Sequence, residues 1–401
     1  MPQLKQTSHR AGRVVEQQSG PDGFAAFFPA PLPPDPPLAI DAELQARLDR
    51  ANQALGRLDG VTLLLPDPEI FLYSYVRKEA VLSSQIEGTQ SSLSDLLLFE
   101  HDVAPSVPSG DAQEASNYVA ATYRGVELLR GGLPLSNRLL KQVHDTLMDG
   151  ARGGERQPGE FRRSQNWLGG TRPGTARFVP PPWQEAEAAM GKLERFLHGD
   201  PVQTPTLVKA ALAHAQFETI HPFLDGNGRL GRLLVTLLLI AEGVIDRPLL
   251  YLSLYLKQHR DVYYDRLQRV RTEGAWEDWL VFFLDGVTEV AQSTTETTRR
   301  LVSLIEADRR RIHALGRGAA TAARVHDELT AGVVGRPADV AARIGRSEPP
   351  VYQAFARLEE LGIAREVTGR RRGRVYVYDS YLSLLNEGTT TPVPASAGPD
   401  L

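Results

Sequence analysis

The chain has 401 residues, 42% of them apolar, and its 45 basic side chains against 49 acidic ones give a formal net charge of −4. That length is ample for two or three structural units around a sizeable core, and the near balance of charge excludes a polycation that coats nucleic acid over its whole surface. Cysteine is absent, which excludes disulfides, thiol nucleophiles and thiolate metal sites, fits a reducing compartment and makes the cytoplasm the expected location. No apolar run is long enough to span a bilayer and the first twenty residues lack the apolar centre of a secretion signal, so no membrane partner is expected.

In chain order, residues 1–24 read as a flexible N-terminus, and "FFPAPLPPDPPL" as a proline-rich extended stretch. "IDAELQARLDRANQALGRLDG" carries apolar residues at helical spacing up to Gly60, and "PEIFLYSYVRKEAVLSSQIEG" is a second helix closed by Gly88, a residue suited to a left-handed cap. "SSLSDLLLFE" opens a third helix after serine caps, and "APSVPSGD" is a loop. Helical patterns continue in "AQEASNYVAATYRGVELLR" and "SNRLLKQVHDTLMDG", until the glycines, prolines and two short apolar patches of "NWLGGTRPGTARFVPPP" predict a hairpin. "TPTLVKAALAHAQFETIHPF" and "RLGRLLVTLLLIAEG" are strong helical patterns, the second apolar all round and therefore expected to be central and buried.

Those two helices are joined by "HPFLDGNGRLGR", residues 221–232. Gly226, Gly228 and Gly231 match G-x-G-x-x-G, but a dinucleotide fold needs a strand before the glycines, and the register of Leu207, Ala211, His214 and Phe217 makes the preceding segment a helix ended by His221-Pro222. What survives is an anion site: glycines that allow close approach, and unpaired amides at the start of a helix beginning near Arg229. Arg229 and Arg232 lie three apart on its first turn, where they oppose the helix dipole unless an anion is bound, and can act as forked donors to phosphate. Asp225 supplies a hard oxygen ligand suited to Mg²⁺, and His221 a base whose unperturbed pKa is about 6.5. Apolar Phe223 is expected to anchor the loop in the core.

The stretch is similar at every defined position to the H-P-F-x-[DE]-G-N-G-R-x-x-R signature of Fic proteins, and the resemblance extends through "PGEFRRSQNWLGG", "YLSLYLKQHRDVYYDRL" and "WEDWLVFFL" over roughly residues 25–300. It implies a mainly α fold, a helical core with a small β-hairpin flap, that transfers AMP from ATP to a Ser, Thr or Tyr hydroxyl of a target protein or of itself. By the resemblance His221 is the general base, and Asp225 holds Mg²⁺ between the α- and β-phosphates. Gly226, Asn227 and Gly228 form the anion nest, Arg229 meets the inner phosphates and Arg232 the γ-phosphate. Tyr263 and Tyr264 would line the adenine pocket, the plainer reading being core aromatics. The flap "RRSQNWLGGTRPGTARFVPPP" would pair with an extended target segment. "VLSSQIEGTQ" places Ser83 and Glu87 four residues apart, immediately before Gly88, and resembles the inhibitory [ST]-x-x-x-E-[GN] motif; Glu87 would pair with Arg232 and hold the enzyme autoinhibited.

Beyond residue 300, "RPADVAARIGRSEPPVYQAFARLEELGIAREVTGRRRGRVYVYD" resembles a winged helix-turn-helix, with Val351, Phe355 and Leu358 facing inward. Residues 336–374 hold nine arginines against five acids, and Arg370, Arg371, Arg372 and Arg374 cluster in the wing, where DNA is the expected partner and protein docking, including homodimerisation, the alternative. The resulting organisation is a helical region with the inhibitory helix over 25–110, a catalytic core over 111–300, a linker helix and winged unit over 301–385, and a disordered tail over 386–401. Two rival functions are a nucleotide-sensing DNA-binding regulator and a metallohydrolase using His214, Glu218, His221 and Asp225 as a ligand stripe, which Pro222 interrupts.

Overall fold

The structure, a computed structural model, describes residues 9–18, 23–63, 68–104, 106–150 and 157–389. An N-terminal ribbon of β1 (Gly12–Gln18) and β2 (Phe24–Pro29) precedes α1 (Ala42–Leu63), α2 (Pro68–Ile86), α3 (Leu93–Phe99), α4 (Ser109–Arg130) and α5 (Asn137–Leu147). After the flap come α6 (Trp183–Leu197), α7 (Thr206–Ile220), α8 (Asn227–Ala241), α9 (Ser253–Gln258), α10 (Arg260–Glu273) and the 38-residue α11 (Trp276–His313). The C-terminal unit is α12 (Ala319–Gly332), β3 (Val334–Gly335), α13 (Pro337–Arg343), α14 (Glu348–Glu360), β4 (Ala364–Glu366), β5 (Tyr376–Tyr378) and α15 (Asp379–Asn386), its antiparallel sheet ordered β3-β5-β4.

The mainly helical core is built around α7 and α8. From Leu207 to Ile220 every α7 residue is buried, and α8 is buried from Leu230 to Leu239, which accounts for its lack of a polar face. Polar groups buried on and beside α7 find partners across the core: Lys209 Nζ meets Leu197 O at 3.1 Å and Glu242 Oε1 at 2.7 Å, and Trp279 Nε1 donates to Ala211 O at 2.8 Å. Around this pair, α2 packs on α4 and α9, α4 on α5, and α1 along α11. The α3 start has the expected serine cap, since Asp95 N donates to Ser92 Oγ and Ser92 N to Asp95 Oδ2, a reciprocal capping box. The end of α2 is a Schellman turn: Gly88, at φ +102°, donates to Gln85 O and Thr89 N to Ser84 O, which makes Glu87 the C-cap residue.

Several expectations are corrected. Within the N-terminus read as flexible, residues 12–18 form a strand paired with β2 from Gly12↔Pro29 to Gln18↔Phe24, while residues 1–8 and 19–22 lie outside the described residues. Helix α1 runs through Gly56 and Gly60 to Leu63, because isolated glycines weaken but do not break a helix that is packed against another, here α11. The stretch read as a hairpin is closed by a single bridge, Leu168↔Phe178, over the 3₁₀ turn Pro173–Thr175, and its ladder continues sideways, with Phe27 N donating to Val179 O at 2.9 Å. No break falls at residue 300, which α11 crosses uninterrupted, and α12 packs against α2 as well as α11. The tail read as disordered lies, from residue 390, outside the described residues.

Candidate active site

His221 ends α7 in the left-handed conformation, φ +51° and ψ +60°, its N–H still bonded to Phe217 O at 2.9 Å. Pro222 forbids another helical turn, and the chain reverses through a loop that Gly226, also left-handed at φ +72°, closes as the N-cap of α8. A Cβ on Gly226 would lie 2.8 Å from Met148 Sδ, so glycine is required there for space as well as conformation. Phe223 is fully buried and stacks on His144 with centroids 3.8 Å apart. The side chain of Asn227 staples the loop, accepting from Phe223 N at 2.9 Å and donating to Phe223 O at 2.8 Å. Its expected role in an anion nest therefore falls to its main-chain N–H, one of the unpaired donors of a helix start.

The cavity above this loop has a volume of about 410 Å³, within the usual range for ligand sites, and is lined by His221, Asp225, Gly226, Gly228, Arg229 and Glu87 among others. Burial, reinforced by the Arg271 and Arg162 guanidinium groups, pushes the His221 imidazole down to about 3, so the ring is neutral at physiological pH. Its Nδ1 lies 4.0 Å from Glu218 Oε2, and burial raises that carboxyl to about 7. Asp225 borders the cavity with Gly226 N donating to its Oδ1 at 2.7 Å.

Both motif arginines are buried and held. Arg229 Nη1 meets Glu114 Oε2 of α4 at 3.1 Å. Arg232 Nε donates to Ser83 Oγ at 2.9 Å, and Nη2 donates to Ser83 O at 3.1 Å and to Glu87 Oε1 at 2.7 Å, so the contact expected between α2 and α8 is present in full. Burial by itself would raise Glu87; Arg232 outweighs it and holds the carboxylate below its ordinary range. Glu87 Oε1 lies only 2.1 Å from where a Cβ on Gly228 would stand, so Gly228 is what lets that carboxylate seat itself over the first turn of α8.

The other expected residues fall elsewhere. Tyr263 is fully buried, its hydroxyl 2.9 Å from His214 Nε2, and half-buried Tyr264 stacks against Arg260; neither lines the cavity. With Nδ1 of His214 2.8 Å from Gly231 O, both nitrogens of that ring are engaged inside the core, and the supposed metal stripe is not assembled. Among the described residues no group of three or more His, Cys, Asp and Glu is arranged to hold a metal ion. Arg370, Arg371 and Arg372 stand exposed in the β4–β5 turn, and Arg374 folds back to donate to Arg370 O at 3.0 Å. Val351, Phe355 and Leu358 of α14 are buried as expected.

Sequence reasoning missed the residues that hold this loop. His144 accepts Gly159 N–H on Nδ1 at 2.9 Å, so Nε2 carries the proton donated to Asp225 O at 3.1 Å. Arg271 donates to Glu218 O and Thr219 Oγ1 at 3.1 Å each and lies 4.1 Å over the Phe178 ring of the flap. Arg162 and Asn166 donate to the main chain of His221. Each acts across a sequence gap on a backbone carbonyl or a ring, and no periodicity marks such partners.

Residues 45–127 match the family model of the Fic/DOC family N-terminal region and residues 134–239 that of the Fic/DOC family itself. The chain is 40% identical over 263 residues to a protein adenylyltransferase Fic of Aedes aegypti, covering 61% of this chain and 46% of the relative. To a protein of the same name from Culex quinquefasciatus it is 38% identical over 128 residues, 32% of this chain and 23% of the relative. The chain thus spans less than half the length of either curated relative. In fold it is similar to the crystal structure of a Fic family protein from Desulfovibrio desulfuricans G20, with a TM-score of 0.56 at 20% identity, over 85% of this chain and 97% of that one. Signature and family models coincide on the same helices, and residues 45–127 and 134–239 of the chain are Fic N-terminal and Fic regions of the Fic/DOC family.

Proposed function

We propose that the protein transfers AMP from ATP to a Ser, Thr or Tyr hydroxyl of a target protein, and that the contact of Glu87 with Arg232 keeps this activity low. The observation that carries the reading is a neutral imidazole, His221, facing a cavity lined by the N-terminus of α8, by Arg229 and by Glu87, the carboxylate that holds Arg232. Phosphoryl-type transfer asks mainly for alignment and charge neutralisation with one base for the nucleophile. His221 takes the hydroxyl proton as that oxygen bonds to the α-phosphorus; the bond from α-phosphorus to the bridging oxygen breaks, and pyrophosphate leaves with both electrons. The first-turn amides of α8 and Arg229 hold the phosphates, and Arg232, once released from Glu87, orients the outermost one.

Asp225, at the cavity rim with one oxygen held by Gly226 N–H, fits the hard, oxygen-seeking Mg²⁺ that accompanies ATP, whose chemistry there is neutralisation of phosphate charge. With Glu87 in place the γ-phosphate and the carboxylate compete for one guanidinium, so nucleotide binds unproductively. Incubating wild type and Glu87→Gly with α-labelled and with γ-labelled ATP tests the reading: the expected result is α-label on protein, stronger in the variant, and no γ-label. Label from γ alone, or from neither, would reject transfer; equal α-label in both proteins would reject inhibition by Glu87. The exposed arginines of the β4–β5 turn support a second, separate proposal, that the C-terminal unit docks on DNA phosphates.

A further inference from the structure

One buried guanidinium gathers carbonyls from three places that the transfer reaction must keep in register. Arg162 is 1% exposed; its Nε donates to His221 O at 2.9 Å, Nη1 to Ser164 O at 3.1 Å and Nη2 to Pro181 O, while its main-chain N–H donates to Pro222 O at 2.9 Å. Burial, with no carboxylate to offset it, lowers this arginine to about 10. An unpaired buried cation is costly, and three main-chain carbonyls are the compensation this one has. Ser164 and Pro181 lie on the two stems of the flap that closes at the Leu168↔Phe178 bridge. The third carbonyl belongs to His221, whose left-handed backbone aims the imidazole. Asn166 adds a second donor to the same oxygen at 3.2 Å and one to Phe223 O at 3.0 Å.

We infer that Arg162 is a positioning residue for AMP transfer, its three-way fork fixing both stems of the flap against the backbone of His221 so that a hydroxyl presented by the flap meets the ring. The inference rests on the proposed role of His221 as base. It assigns Arg162 no contact with nucleotide, and its loss therefore acts on turnover and leaves ATP binding alone. Lysine keeps the charge but is a single point donor on a flexible stem and cannot span three carbonyls, so charge alone gives no rescue.

The test is made in the Glu87→Gly background, with the maximal rate of self-labelling from α-labelled ATP, the half-saturating ATP concentration and ADP affinity measured for Arg162→Lys, Arg162→Met and Asn166→Ala beside a His221→Ala control. Both Arg162 variants are expected to lose about 100-fold in maximal rate, and Asn166→Ala about tenfold, with ATP half-saturation and ADP affinity within about threefold of the parent. Should Arg162→Met fail to fold, Arg162→Lys and Asn166→Ala decide the matter. An Arg162→Lys rate within about threefold of the parent, or nucleotide affinity falling in step with rate, overturns the inference. Undiminished α-label on His221→Ala overturns the reading of His221 as base, and the present inference with it, and is distinguishable because the control alone reports it.

Discussion

At the start of α8, Arg229 and Arg232 are 4% and 3% exposed and each is held by a carboxylate from another helix, whereas in the β4–β5 turn Arg370, Arg371 and Arg372 stand in solvent. A guanidinium inside a protein is costly unless a carboxylate or other acceptor meets it, so those of α8, held by Glu114 and Glu87, are part of the architecture as well as of the proposed chemistry. Exposed ones add little to folding and are free to serve as a field for phosphates. Arginine content by itself, then, does not distinguish an active site from a docking surface; the partners do.

The largest effect expected from breaking this contrast is at Arg232. Arg232→Ala in the Glu87→Gly background should cut AMP transfer by about 10²- to 10³-fold. In the otherwise wild-type chain it should lower unfolding stability by about 3 kcal/mol, since Ser83 and Glu87 lose their shared donor; denaturant melts and label incorporation check both. Next comes Glu87→Gly, expected to raise self-labelling by about 10- to 100-fold while ATP, now the partner of the freed arginine, restores thermal stability lost in its absence. Thermal scans with and without Mg-ATP give that comparison.

A smaller effect concerns pH. In the proposed reaction His221 serves as a base only when neutral, and with its folded-state value near 3 the ring stays neutral as pH falls well below the ordinary histidine value. The transfer rate of Glu87→Gly should therefore show no acid limb centred near pH 6.5; such a limb, seen in rate–pH profiles, would mean the ring is far more solvated than its burial indicates. The smallest effect belongs to the exposed cluster. Removing Arg371 should change folding stability by less than about 0.5 kcal/mol. It should also reduce the salt slope of DNA retention by about one unit, as loss of a phosphate contact does. A stability loss comparable with that at Arg232 would erase the contrast.

The parts visible in the sequence were those written in local chemistry. The turn at His221-Pro222, the cap at Gly88, the serine start of α3 and the buried character of α8 each depend on a few neighbouring residues, and all are found where the pattern places them. Even the distant contact of Glu87 with Arg232 could be named, because a resemblance supplied the partner that spacing could not. Arg162, His144 and Arg271 carried no such mark: each reaches a main-chain carbonyl 59, 81 and 53 residues away, and a carbonyl looks the same at every position. The strand at residues 12–18 was missed for a related reason, since a short run without clear alternation becomes a strand only when an edge is offered, here by β2. At residue 300 the change of composition was real, but α11 bridges it, and packing along α1 and α12 carries one helix through two kinds of sequence.

The left-handed backbone of His221 has an evolutionary corollary. A residue with a Cβ is disfavoured in that region by about 1–2 kcal/mol, and glycine or asparagine would sit there with less resistance. Folding and chemistry thus pull in opposite directions at a single position, and relaxed selection on catalysis would be expected to surface there first, as drift toward a sturdier, silent protein.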